Sequence, residues 1–155
     1  MKYKNKILVL YISLIAFIGF AIYINMSMNN FNEKFQTQIN NILGKPMQAC
    51  SKPPEKTTGY YRDGYCVTGP TDTGTHVVCA VVDDNFLTFT QAKGNDLISP
   101  QASFPGLVSG DKWCLCALRW REAHDAGKAP KLIPESTNDA ATKYVSKDIL
   151  MKYSI

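Results

Sequence analysis

A chain of 155 residues, 45% apolar and 19% charged, has the length of one ordinary domain and a globular composition. It is too short for a TIM barrel or a two-domain dinucleotide enzyme. The formal charge of +4 gathers at the start, in Lys2, Lys4 and Lys6, with no acid before Glu33; of 17 basic side chains, the 14 that remain nearly balance 13 acidic ones, which argues against a nucleic-acid footprint spread over a folded body.

Residues 7–24 (ILVLYISLIAFIGFAIYI) carry no charge, and Ser13 is the one clearly polar side chain among them. At 1.5 Å per residue this run reaches about 27 Å, close to the roughly 30 Å of a bilayer core, and predicts a transmembrane anchor whose partner is the lipid bilayer. A cleaved signal peptide is the alternative. Gly19-Phe20-Ala21 offers its small-x-small pattern, but Ile22, Tyr23 and Ile24 carry the apolar run past that point. A buried soluble helix is a third reading. Tyr3, Tyr11 and Tyr23 lie near the ends of the run, as interfacial aromatics do. Three lysines precede it, whereas Lys34 stands alone in the segment that follows. The positive-inside rule therefore makes residues 1–6 a cytoplasmic basic tip of a single-pass inner-membrane protein and places the rest in the periplasm or outside the cell.

Residues 25–30 (NMSMNN) read as a short linker. Phe31, Phe35, Ile39 and Ile42 then recur at helical spacing, so residues 25–43 are expected to hold the linker and an amphipathic stalk helix stopped by Gly44 and Pro46. Fewer than two heptads are present, too few for a dimerising coil. The domain proper is expected over 44–155. Residues 50–74 are broken by Pro53-Pro54, Gly59, Gly64 and Gly69-Pro70 into turns, with a short strand near Tyr60-Tyr61. Residues 75–82 (THVVCAVV) are β-branched and apolar and predict a central strand. Asp83 or Asp84 can cap a helix with Phe86, Phe89 and Ala92 on one face, ended by Gly94. After a long loop, a second strand is expected over 113–116, a helix over 118–126 stopped by Gly127, a third strand over 131–133, and small helices over 138–144 and 146–153. The sum is an α+β fold, a small sheet with packed helices, preceded by one transmembrane helix.

The stretches ILGKPMQACS, TGYYRDGYCVTGPTDTGTHVVCAVV, FLTFTQAKGNDLISP, FPGLVSGDKWCLCALRWREAHDAGKAP and KYVSKDILMKY resemble a bacterial family catalogued as domain of unknown function 2237. The resemblance covers residues 42–155. It implies a small α+β domain in which Cys50, Cys66, Cys79, Cys114 and Cys116 occupy positions that look similar among relatives, and it brings no activity with it. The N-terminal anchor departs from the usual pattern, since typical members look like short soluble proteins.

The five cysteines can be small buried hydrophobes, disulfide partners or metal ligands. Their odd number allows at most two internal bridges with one thiol left over. Cys114 and Cys116, spaced i, i+2, face one side of a strand; this spacing is unusual for structural zinc and poorly oriented for a mutual disulfide, so a bridge from either is expected to reach Cys50, Cys66 or Cys79. His76 and His124 complete a thiolate zinc site only if folding brings them close; otherwise His124 is a solvated residue of a helix face. No cofactor is predicted.

Residues 62–76 (RDGYCVTGPTDTGTH) hold the residue types of a nucleophile, a base and an orienter: Cys66 attacks, His76 takes its proton, Asp72 orients the imidazole. The alternative is a turn-rich surface held by Asp and Thr side chains. In the second cluster, Trp120, Ala123 and Leu118 are expected to pack inward while Arg121 and Glu122 face water. Arg62, Trp113 and Arg119 are the ligand-binding candidates, with tryptophan flooring a groove and Arg119 reaching an anion. A sizeable pocket at Trp113 and residues 62–76 is what a binding module would show. A membrane-anchored, extracytoplasmic binding or interaction module is therefore the leading reading. A cysteine-dependent enzyme or redox protein using Cys66 with His76 is the alternative, and a structural metal domain the third.

Overall fold

The computed structural model describes residues 2–36, 39–101 and 103–155, with side chains of the first helix described for 13–31. The chain divides into two compact units, Met1–Thr37 and Gln38–Ile155.

The first unit is one helix, α1 (Lys2–Gln36). Its segment Ser13–Phe31 is long and apolar enough, by length and composition, to cross a membrane. Leu14, Ile15, Phe17, Phe20, Ile22 and Tyr23 are exposed and, at 100° per residue, lie on all sides of the helix, so its apolar surface is not confined to one face. The side chains of the expected lysine tip, Tyr3, Tyr11 and Phe35 lie outside the described residues. The linker expected at 25–30 is helical instead, because no glycine or proline stands between Gly19 and Gly44 to interrupt propagation. The stalk helix does not reach Ile42. Asn41 competes with the helix: its Oδ1 accepts from the Leu43 and Lys45 N–H groups, and its Nδ2 donates to the carbonyls of Pro46 and Glu135. Ile42 is thereby turned into the core of the second unit.

The second unit is α+β. Among the described residues one sheet forms, with β1 (His76–Val81) between β2 (Lys112–Cys116) and β3 (Lys131–Leu132), both antiparallel to it. Strand alternation separates two cores. Val78 and Ala80 of β1 and Leu115 of β2 pack with Phe86, Leu87, Trp120, Leu132 and Leu150, and cover the helices α2 (Asp84–Ala92) and α3 (Ala117–Asp125). Cys79 and Cys114, between them in sequence, face the other way and form a second cluster with Met47, Cys50 and Cys66. Asp83 caps α2 by accepting from the Phe86 N–H at 2.8 Å. Gly127, at φ +68°, closes α3 with the paired bonds of a left-handed C-cap, its N–H reaching the His124 carbonyl and the Lys128 N–H that of Ala123. A short 3-10 segment (Asp139–Lys143) and α4 (Lys147–Lys152) follow.

Three expectations need correcting. Tyr60 and Tyr61 lie in a turn closed by the Arg62 N–H on the Gly59 carbonyl, and no strand forms there. Leu118 is 52% exposed, because α3 begins one residue earlier than its periodicity suggests and turns Ala117, Trp120 and Ala123 inward. His124 is not a solvated face residue. Its ring stacks on Trp120 at 5.7 Å, and its Nδ1 hydrogen-bonds the Tyr153 hydroxyl at 3.0 Å, so it closes the core.

Candidate functional site

Two disulfides decide what the cysteines can do. Cys50 is bonded to Cys79 and Cys66 to Cys114, which leaves Cys116 as the free cysteine among the described residues. Cys66 is fully buried with its sulfur tied to Cys114, so while that bridge is closed it holds no thiolate for the attack expected of it. Cys114 is likewise bonded away from Cys116, which dissolves the proposed metal pair. The bridge that Cys114 does make, to Cys66, is among those its position on the strand allowed.

The other two members of the expected triad do meet. The turn closed by the Thr75 N–H on the Asp72 carbonyl brings the chain back so that both oxygens of Asp72 engage His76. Oδ2 accepts from the His76 backbone N–H at 2.8 Å and Oδ1 meets the ring Nδ1 at 2.6 Å. The carboxylate is wholly shielded from solvent. Burial alone would raise its pKa, but the His76 N–H, the His76 ring with its charge and the Thr68 hydroxyl together outweigh burial and hold Asp72 below its usual range. As an ionised acceptor, Asp72 fixes the Nδ1–H tautomer and leaves Nε2 as the nitrogen that can meet a ligand. Gly74 lies so close to the ring that a Cβ there would collide with His76 Cε1.

His76 opens onto a cleft of about 360 Å³. Its walls come from three places: Gly59, Tyr60 and Arg62 of the first turn region; Asp96, Leu97, Gln101 and Phe104 of the loop after α2; and Trp113 and Cys114 of β2. The Arg62 guanidinium sits 4.9 Å above the Trp113 ring, which in turn meets Phe104 edge-on at 5.4 Å. Tyr60 stacks against His76 at 6.2 Å and donates its hydroxyl to the Thr71 carbonyl. Asp96 shapes the rim. Its Oδ1 accepts from the Ile98 and Ser99 N–H groups, and the bonds from Ser99, then Ile98, against slight burial, hold its pKa down to about 2. Chemically, the cleft offers one fixed cation, one oriented imidazole, an aromatic wall and, at its rim, the ionised Asp96 carboxylate.

Arg119 does not join it. It pairs with Glu122 at 2.9 Å and lines a different groove with Cys116, Leu118, Arg121 and Asp125. The sequence candidates therefore split: Arg62, Trp113, His76 and Asp72 converge, while Arg119 and Cys116 lie elsewhere.

A family model described as "Uncharacterized protein conserved in bacteria (DUF2237)" matches residues 40–154. The chain belongs to the DUF2237 family. No curated protein matches it. The match spans nearly all of the second unit of this DUF2237 protein, so the cleft, the Asp72–His76 pair and both disulfides fall within the family region. Tyr60, Gln101 and Phe104 were missed in the sequence. Tyr60 was read as a strand residue, and Phe104 lies in a loop with no periodicity to single it out.

Proposed function

We propose that this DUF2237 protein is a membrane-anchored, extracytoplasmic binding module, and that its cleft takes a small, partly apolar anion such as an organic carboxylate or a peptide C-terminus. The Arg62 to Trp113 stack carries the reading. It holds a cation in place over an aromatic floor, beside an imidazole already turned by Asp72, in a space within the usual size range of ligand sites. The apolar span Ser13–Phe31 supports the anchor, and two buried disulfides suit an oxidising compartment. The lysines before the span support an N-terminus in the cytoplasm.

The experiment is a titration of the full chain in detergent with a panel of aromatic and aliphatic carboxylates, followed by amide chemical shifts. Saturable shifts at Arg62, His76 and Trp113 are expected. An Arg62→Ala variant should bind at least about tenfold more weakly, roughly 1.4 kcal/mol. Shifts that never saturate, or that saturate equally in Arg62→Ala, overturn the assignment. For topology, a periplasm-dependent reporter fused after Ile155 should be active; activity of a cytoplasm-only reporter overturns the orientation.

A further inference from the structure

Four cysteines gather in the second core cluster, and one of them, Cys114, also lines the cleft. The Sγ atoms of Cys50, Cys66 and Cys79 lie within 4.8 Å of one another, and Cys114 is bonded to Cys66. All four are buried, beside the Met47 thioether and among Ile39, Tyr65 and Ile133. They arrive on four separate stretches, each held by bonds other than sulfur. The Cys50 N–H donates to the Gly64 carbonyl, Cys79 N–H to Thr137 Oγ1 and Cys114 N–H to Thr58 Oγ1, while the chain around Cys66 is held by the Gly64 N–H on the Thr58 carbonyl. Opening the bridges therefore leaves three thiols within 4.8 Å of one another and that of Cys114 beside Cys66.

We propose that Cys50, Cys66, Cys79 and Cys114, when reduced, form a tetrathiolate site for a soft divalent cation, Zn²⁺ being the ion whose chemistry suits the set. Tetrahedral Zn–S bonds of about 2.3 Å place sulfurs roughly 3.8 Å apart. That spacing falls inside the separation already present among Cys50, Cys66 and Cys79; Cys114, bonded to Cys66, completes the set by side-chain rotation once its bridge opens, the Cα pairs being 5.6 and 5.2 Å apart. The set excludes Cys116, which lines the other groove, and so differs from the Cys114 and Cys116 pair suggested by adjacency. The chemistry balances simply. A dithiol or phosphine reductant delivers two electrons per disulfide, two protons enter, and the reductant leaves oxidised. The cation then displaces four protons as four metal–sulfur bonds form. The ion ties together the same four stretches that the disulfides tie, so the domain has two alternative staples on one set of atoms. The site stands whether or not the cleft binds an anion.

The test uses the full chain in detergent, reduced with a phosphine under nitrogen and titrated with Co²⁺ alone. The intense visible bands of tetrahedral cobalt thiolate should saturate at one ion per chain and be displaced by Zn²⁺. They should be unchanged in Cys116→Ser, lost in Cys79→Ser, and absent from the oxidised protein. Reduced wild-type chain without the bands overturns the proposal, as do bands that depend on Cys116 or persist in full in Cys79→Ser. The deciding signal is read in the wild-type chain, so misfolding of a variant does not obscure it.

Discussion

Cys79 and Cys114 are direct partners across β1 and β2, yet each sulfur is bonded away from the other, to Cys50 and to Cys66. The sheet places the two cysteines side by side, and the preceding turn region, poor in regular structure, supplies the partners. The bridges thus fasten that region onto the strands. Bridge Cys66 to Cys114 spans 48 residues, for which loop-closure entropy gives about 4 kcal/mol. A Cys66→Ala/Cys114→Ala double variant, which removes both partners of the bridge, should lose about 2–5 kcal/mol in urea unfolding. A loss below about 1 kcal/mol would show that the Cys50–Cys79 bridge and the hydrogen bonds hold the turn region without it.

Asp72→Asn keeps the shape of the side chain but removes the charge that meets the His76 ring. The expected cost is about 1–3 kcal/mol, because a buried acceptor is weakened and one of its bonds must be made by a neutral amide. The sign of the pH dependence follows from the lowered pKa. Stability from Asp72 is fully present above the ordinary carboxylate pKa and is lost as pH falls through the lower folded value. The acid limb of a stability profile should therefore be shallower in Asp72→Asn. An unchanged limb would remove the ion pair from the account.

Asp96 makes a second, separable contribution on the acid side. Its pKa falls from 3.8 to about 2 on folding, so the folded turn holds fewer protons than the unfolded chain between those values. Stability should decline across that window as pH drops, and Asp96→Asn should remove this part of the slope. Amide exchange at Ile98 and Ser99, whose N–H groups the carboxylate accepts, locates the effect. Exchange there that does not change with pH would contradict it.

Arg62 adopts φ +56°, a left-handed conformation costing a non-glycine residue about 1 kcal/mol. Substitution by glycine relieves that cost while deleting the cation over Trp113. Arg62→Gly is therefore expected to hold or raise thermal stability and to abolish carboxylate binding. Loss of both would mean that the guanidinium is a structural strut for the tryptophan.

Local chemistry made much of the fold legible. The β-branched run around Val77 and Val78, Asp83 as a cap and Gly127 as a stop each act within a few residues, and each appears where the chain suggests. Asp72 and His76 were also readable as a pair, since one turn joins them. The contact between Arg62 and Trp113 was not, because it depends on β2 pairing with β1 and bringing Trp113 under a distant turn. Cys66 misled for the same reason: nothing near it in sequence reveals that Cys114 waits across the fold. At the N-terminal side, Asn41 looked like one more polar position on a helix, and only its four hydrogen bonds explain why the helix ends before it.

The order of the bridged cysteines along the chain has a consequence for proteolytic damage. Because 50 pairs with 79 and 66 with 114, the two covalent loops overlap rather than follow one another. Every peptide bond from Cys50 to Cys114 is spanned by at least one bridge, including those of the exposed loop that carries Asp96, Gln101 and Phe104. A protease cut anywhere in that stretch leaves two fragments still joined, running as one band on a gel until a reductant separates them. The cleft can thus lose the continuity of a wall and remain a single molecule.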